Sequence, residues 1–153
     1  MGSTRVSGDV RAPRDAVYRA LIDADAIAVW RVPSGMRSEV HEFDARSGGT
    51  FRISLHYDSP DAIGKTSAHT DTYHGRFVEL VPNKRVVETI EFESDDPALG
   101  GVMTMTTTLR ESGGGTEVVI QHDGIPDAVN AADNETGTRM ALAALAAWVE
   151  THT

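Results

Sequence analysis

Thr138-Arg139-Met140-Ala141-Leu142-Ala143-Ala144-Leu145-Ala146-Ala147-Trp148-Val149-Glu150, close to the end of the 153-residue chain, is the stretch on which the fold turns. At about 100° per residue, Thr138, Ala141, Leu142, Leu145, Trp148 and Val149 share an arc of about 120°, while Arg139 and Glu150 lie opposite. One stripe of this helix is therefore built for burial. Removing Leu142, Leu145, Trp148 and Val149 from water contributes roughly 6–12 kcal/mol as an upper bound. An isolated helix of this length is marginal in water, so another element must supply the apolar surface.

The residues upstream supply a sheet. Thr116 to Asp123 and Val102 to Glu111 read as a hairpin turned at Gly113-Gly114-Gly115. Arg85 to Glu93 and Thr72 to Leu80 are joined tightly by Pro82-Asn83-Lys84. Thr50 to Tyr57 alternates, with Phe51, Ile53, Leu55 and Tyr57 on one face and Arg52, Ser54 and His56 on the other. Met36 to Phe43 precedes it across the turn Ser47-Gly48-Gly49, and residues 58–68 and 94–101 read as loops. At the front, Arg5 to Arg11 places Val6, Gly8 and Val10 on one strand face. Pro13 can open a helix, because its missing N–H would be unpaired there anyway. Val17, Tyr18, Leu21 and Ile22 follow at helical spacing, and a second short turn spans Ala24 to Trp30.

The order is strand, two short helices, six strands, long helix, which makes one α+β domain over residues 1–153. A helix is about 10–12 Å wide, whereas seven strands at about 4.8 Å spacing span roughly 30 Å. A flat sheet of that width would outrun one helix. The sheet is expected to curl around the helix, and the space at its open end either stays free for a small, largely apolar molecule or is filled by bulky side chains or loops.

The totals narrow the partners. Formal net charge is −9, the chain has no cysteine, and its 14 lysines and arginines look scattered. An acidic surface repels phosphate backbones and anionic lipid, so neither nucleic acid nor membrane is expected. Disulfides, thiolate chemistry and Cys-based zinc sites are excluded. No signal-like leader and no membrane-length apolar run appears, and the chain reads as cytoplasmic. No cofactor is expected. A homodimer stays open, since no segment argues for or against self-pairing.

Strand alternation nominates the cavity lining. Met103 and Met105 share a face with Thr107 and Leu109, and Ile120 shares one with Val118 and His122. Glu88 falls among Val86, Ile90 and Phe92, where burial would push a carboxyl group toward its neutral form unless it finds a partner. His122 and Glu88, with His74 as a further candidate, could orient a ligand oxygen or act as an acid–base pair. The plainer alternative has His122 capping a strand end and Glu88 paired with a basic neighbour. Trp30, Phe51 and Tyr57, like Tyr73, Phe77 and Trp148, could stack on a flat ligand, though such residues more often form core. Thr138, Leu142 and Leu145 would face the ligand from the helix. The six histidines show no ligand spacing on a helix, and the odd separation of His69 and His74 puts them on opposite strand faces, so no metal is expected. Ser59-x4-Gly64-Lys65-Thr66 imitates a phosphate loop but lacks its first glycine and the helix that should follow. Asn134-Glu135-Thr136 has the form of a glycosylation sequon in a chain with no expected route to secretion.

Pro13-x3-Val17-Tyr18-x2-Leu21, Trp30, Ser47-Gly48-Gly49-Thr50-Phe51-Arg52 and His74-Gly75-Arg76-Phe77-Val78-Glu79-Leu80-Val81-Pro82 occur in a suggestive order. With Gly115-Thr116-Glu117-Val118 and Gly137 before Leu142-x2-Leu145-x2-Trp148, the chain resembles the START-like SRPBCC superfamily. Within that superfamily it is similar to the heat-shock-protein-90 ATPase activator homologue family. The resemblance implies a helix-grip fold with a cavity between sheet and C-terminal helix, and binding of a small hydrophobic or amphipathic molecule. It also implies two alternatives, a polyketide-cyclase-like or other acid–base enzyme using the same cavity, and a chaperone-associated module. Many relatives carry Trp after the helix-opening Gly, where this chain has Thr138. The eukaryotic co-chaperones also carry an additional chaperone-binding domain, for which no room is expected in these 153 residues.

Overall fold

The computed structural model describes residues 2–33, 35–58, 70–94 and 96–152. The elements run β1 (Gly2–Val10), α1 (Arg14–Leu21), α2 (Ala24–Trp30), β2 (Met36–Phe43), β3 (Thr50–Tyr57), β4 (Thr70–Val81), β5 (Arg85–Phe92), a 3-10 turn (Pro97–Leu99), β6 (Met103–Ser112), β7 (Gly115–Ile125) and α3 (Ala131–Thr151). The seven strands form one antiparallel sheet in the order β1-β7-β6-β5-β4-β3-β2. This is the expected α+β helix-grip arrangement of a curved sheet with a long terminal helix. The segment 59–69, with the phosphate-loop imitation and His69, lies outside the described residues.

Local chemistry explains the joints. Ser112 pairs with Gly115, so Gly113 and Gly114 alone make the β6–β7 turn, and both have positive φ (55° and 86°), as a two-residue hairpin of this hand requires. Asn130 caps α3, its side chain accepting from the N–H groups of Ala132 and Asp133. The helix therefore starts well before Gly137, which the sequence placed at its opening; Gly137 sits inside it. Polar first turns, without an apolar stripe, hid this extension. Similarly β1 begins at Gly2, before the expected Arg5.

The helices divide the concave face among themselves. α3 runs along β1 and touches α1 and α2, α1 packs beneath β6 and β7, and α2 meets β2 and α3. Gly8 makes the α3–β1 approach: a Cβ there would stand 2.9 Å from Leu142 Cδ2. One helix was expected to cover the sheet, but three do so, because α1 and α2 must cross the concave side to connect edge strand β1 to edge strand β2. Trp30 locks that crossing, donating its indole N–H to the Ala20 carbonyl at 2.9 Å in the buried core.

The surface overturns one expectation. The basic residues are not evenly scattered, since Arg14, Lys84, Arg85 and Arg110 line a common cleft. No helix among the described residues is long and apolar enough to cross a membrane.

Candidate functional site

Antiparallel register carries one row of side chains across the concave face. Thr4 stands opposite His122, His122 opposite Met105, Met105 opposite Glu88, and Glu88 opposite Phe77. Directly opposed residues point to the same face, so this row mixes polar and apolar groups in the interior. All five residues are buried. Neighbouring rows are mostly apolar, with Val6, Ile120 and Val86 on one side and Ile90 and Met103 on the other.

Glu88 meets Arg31, the residue just after α2. The Arg31 guanidinium donates to Glu88 Oε1 at 2.8 Å, with side-chain exposures of 12% and 5%. Arg31 also lies over the rings of Phe51 and Tyr73, 5.7 and 5.6 Å from their centroids, inside the range of cation–π attraction. Burial alone would lower the Arg31 pKa, but the Glu88 carboxylate and, less strongly, Tyr73 outweigh it, and the guanidinium is held as a cation. Tyr73 is pushed the other way: burial raises its phenol above the ordinary range, with Arg31 opposing in part.

His122 differs from the pair. Its Nδ1 is buried and has no hydrogen-bond partner among the described residues. Burial first, and then the positive charge of Arg31, lower its pKa to about 4, with Asp123 opposing. The imidazole is therefore neutral at pH 7, carrying one donor and one acceptor nitrogen. At the edge of the row, the Thr4 hydroxyl donates to Asn134 Oδ1 at 2.6 Å, tying β1 to α3.

The expected site residues sort themselves against this geometry. Phe51, Glu88, Met103, Met105, Ile120 and His122 all lie on the concave face and are buried. Trp30 is buried with its N–H committed to Ala20. Thr138 is buried and donates its hydroxyl to the Asn134 carbonyl at 2.7 Å, one helical turn back. Leu142 packs on Gly8, and Leu145 is fully enclosed. Tyr57 is half-buried and gives its hydroxyl to Asp71 Oδ2 at 2.9 Å. His74 is not in the interior. It stands on the convex face, 45% exposed, between Glu91 at 3.5 Å and Glu93 at 3.0 Å. The strand alternation that turns Tyr73 inward turns its neighbour outward.

Glu88 is held by Arg31, and Met105 separates it from His122 in the sheet. His122 lies within β7, not at its end, so strand capping does not explain it. Arg31 is the principal residue that sequence reasoning missed. Its setting in Val29-Trp30-Arg31-Val32-Pro33 was the available clue: a lone cation in an apolar run, in a chain whose Glu88 needed a partner. Among the described residues, no group of three or more His, Asp or Glu side chains is placed to hold a metal ion.

Comparison with known proteins adds the lineage. The family described as Activator of Hsp90 ATPase homolog 1-like protein matches residues 11–150. Among solved structures, protein CV1439 from Chromobacterium violaceum is 35% identical, with a TM-score of 0.86 over 97% of this chain and 96% of that one. The AHSA1-like protein from Aeromonas hydrophila is 19% identical, with a TM-score of 0.74 over 99% of this chain and 94% of that one. DynU16, a putative protein in the dynemicin biosynthetic locus, is 20% identical, with a TM-score of 0.69 over 99% of this chain and 48% of that one. These last two likenesses concern the fold. No curated protein matches.

Proposed function

The chain belongs to the family of activator of Hsp90 ATPase homolog 1-like proteins, and from that premise we propose that it binds a small, largely apolar molecule between the concave sheet face and the helices. The ligand presents one hydrogen-bonding group, a carbonyl or hydroxyl, to the row around His122 and Arg31. The carrying observation is His122 Nδ1, a buried nitrogen without a hydrogen-bond partner among the described residues, with Met103, Met105 and Ile120 on the same face. Leaving such a group unsatisfied costs about 1–3 kcal/mol, which a ligand oxygen or hydroxyl would relieve. The surrounding Met103, Met105 and Ile120 suit an apolar body, and methionine adapts readily to irregular shapes.

A thermal-shift screen with lipids, sterols, polyketides and aromatic acids, followed by native mass spectrometry, tests the reading. At least one class should raise the melting temperature and add its mass to the protein. His122→Phe, which keeps the ring and removes both nitrogens, should weaken that ligand by about tenfold. If no class shifts the melting temperature and no bound mass appears, the binding role falls.

A further inference from the structure

Four of the 14 basic residues, on a chain of formal charge −9, converge on one surface cleft of about 480 Å³. That volume lies within the range of about 300–1,000 Å³ typical of small-molecule sites. The cations come from three places: Arg14 opens α1, Lys84 and Arg85 stand where β4 turns into β5, and Arg110 lies near the end of β6. None of them belongs to the interior row. The cleft is a separate feature of the fold.

The four are not equivalent. Arg85 is anchored by Glu79 at 2.9 Å, and Arg110 is paired with Glu117. Arg14 and Lys84 have no carboxylate within ion-pair distance among the described residues. Arg14 is moreover half-buried, where an unpaired guanidinium is costly. It sits at the positive end of α1, whose Pro13 cap provides no side-chain acceptor. The main chain of Lys84 is held on both sides: its N–H donates to the Val81 carbonyl at 3.0 Å, and its carbonyl accepts from Leu109 N–H at 2.8 Å. The backbone that carries Lys84 is thus fixed beside the cleft by main-chain bonds.

Charge and lining define the occupant. Glu79, Glu117 and the cleft's own Glu111 set three carboxylates against four cations, leaving one uncompensated positive charge. Val81 and Leu109 give the cleft apolar walls beside the Thr108 hydroxyl. One spare charge suits a single oxyanion group, and the walls suit a short hydrocarbon. A polyanion would instead meet the repulsion of a chain whose formal net charge is −9.

We propose that this cleft is a binding site for a small organic anion, one carboxylate or phosphate ester on a short apolar body. Arg14 and Lys84 hold the oxyanion, while Val81 and Leu109 hold the hydrocarbon.

Amide chemical-shift titrations of the ¹⁵N-labelled full chain at low salt test this, with octanoate, octyl phosphate, octanol and inorganic phosphate as probes. Octanoate or octyl phosphate should shift the amides of Arg14, Lys84 and Leu109 saturably, and whichever binds tighter identifies the oxyanion. Octanol and inorganic phosphate should bind at least about tenfold more weakly, each lacking half of the recognition. The double variant Arg14→Gln/Lys84→Gln should lose about tenfold in affinity, and high salt should weaken the wild type. Lys84 is exposed, so Lys84→Gln alone supplies a variant that leaves the core untouched, with an expected several-fold loss. The proposal is overturned if octanol matches the acids, if inorganic phosphate matches octyl phosphate, or if the double variant binds as well as wild type. Shifts confined to Met105, Ile120 and His122, or no saturable shift with either acid, would overturn it equally.

Discussion

Removing the Glu88 carboxylate should do more damage than removing the whole Arg31–Glu88 pair. In Glu88→Leu, the Arg31 cation stays in the interior with its only described carboxylate gone. Side-chain exposures of 12% and 5% leave little solvent to screen the orphaned charge. Breaking one partner of a buried pair costs about 3–5 kcal/mol. Against a total stability of about 5–15 kcal/mol, that is a large share. At about 2–4 °C per kcal/mol for a domain of this size, the melting temperature should fall by roughly 6–20 °C. The double variant Arg31→Met/Glu88→Leu removes both charges and keeps apolar volume, so it should recover most of the loss. Recovery will be incomplete, because the attraction of Arg31 to the Phe51 and Tyr73 rings also goes, worth about 0.5–2 kcal/mol. Urea unfolding of the wild type, both single variants and the double variant completes the cycle. A Glu88→Leu cost below about 1 kcal/mol, or additive single effects, would refute the view of this pair as a desolvated, mutually dependent unit.

His122, with its pKa lowered to about 4, favours the folded state above its unfolded pKa near 6.5; stability should fall between about pH 6.5 and 4, by about 3 kcal/mol, and His122→Phe should flatten that slope in urea titrations at several pH values. Gly75→Ala should prevent folding or cost several kcal/mol, since its Cβ would lie 1.8 Å from the Thr89 carbonyl oxygen; soluble yield and circular dichroism report the outcome. Gly137→Ala is the opposite case, inside α3 with nothing within 4 Å of the added methyl, and should stabilise by up to about 1 kcal/mol in the same unfolding assay. Asn130→Ala removes the cap bonds to Ala132 and Asp133 and should cost about 1 kcal/mol by chemical denaturation.

The strands from Met36 to Phe43 and from Thr50 to Tyr57 were legible to the residue, because alternation flanked by Gly and Pro is a local pattern. The short helix from Ala24 to Trp30 was equally plain, ending where Pro33 forbids continuation nearby. The inward face of Glu88 and His122 was legible too, since a strand's two faces follow from counting by twos. His74 shows the limit of that rule: quoted within a recognisable motif, it stands on the outer face while Tyr73 and Phe77 turn inward. The α3 start was missed because Asn130 acts through hydrogen bonds to the next turn and not through periodicity.

From the sequence alone came the order of elements, the alternating faces and the apolar stripe of the last helix, because each depends on residues within a few positions of one another. Tertiary structure decided the rest. It brought Arg31 to Glu88 across 57 positions, lined up Thr4, His122, Met105 and Glu88 through strand register, and drew Arg14, Lys84 and Arg110 to one cleft. Charges meet through space, and the distances between them are set by how a curved sheet closes over its helices, which no local pattern records.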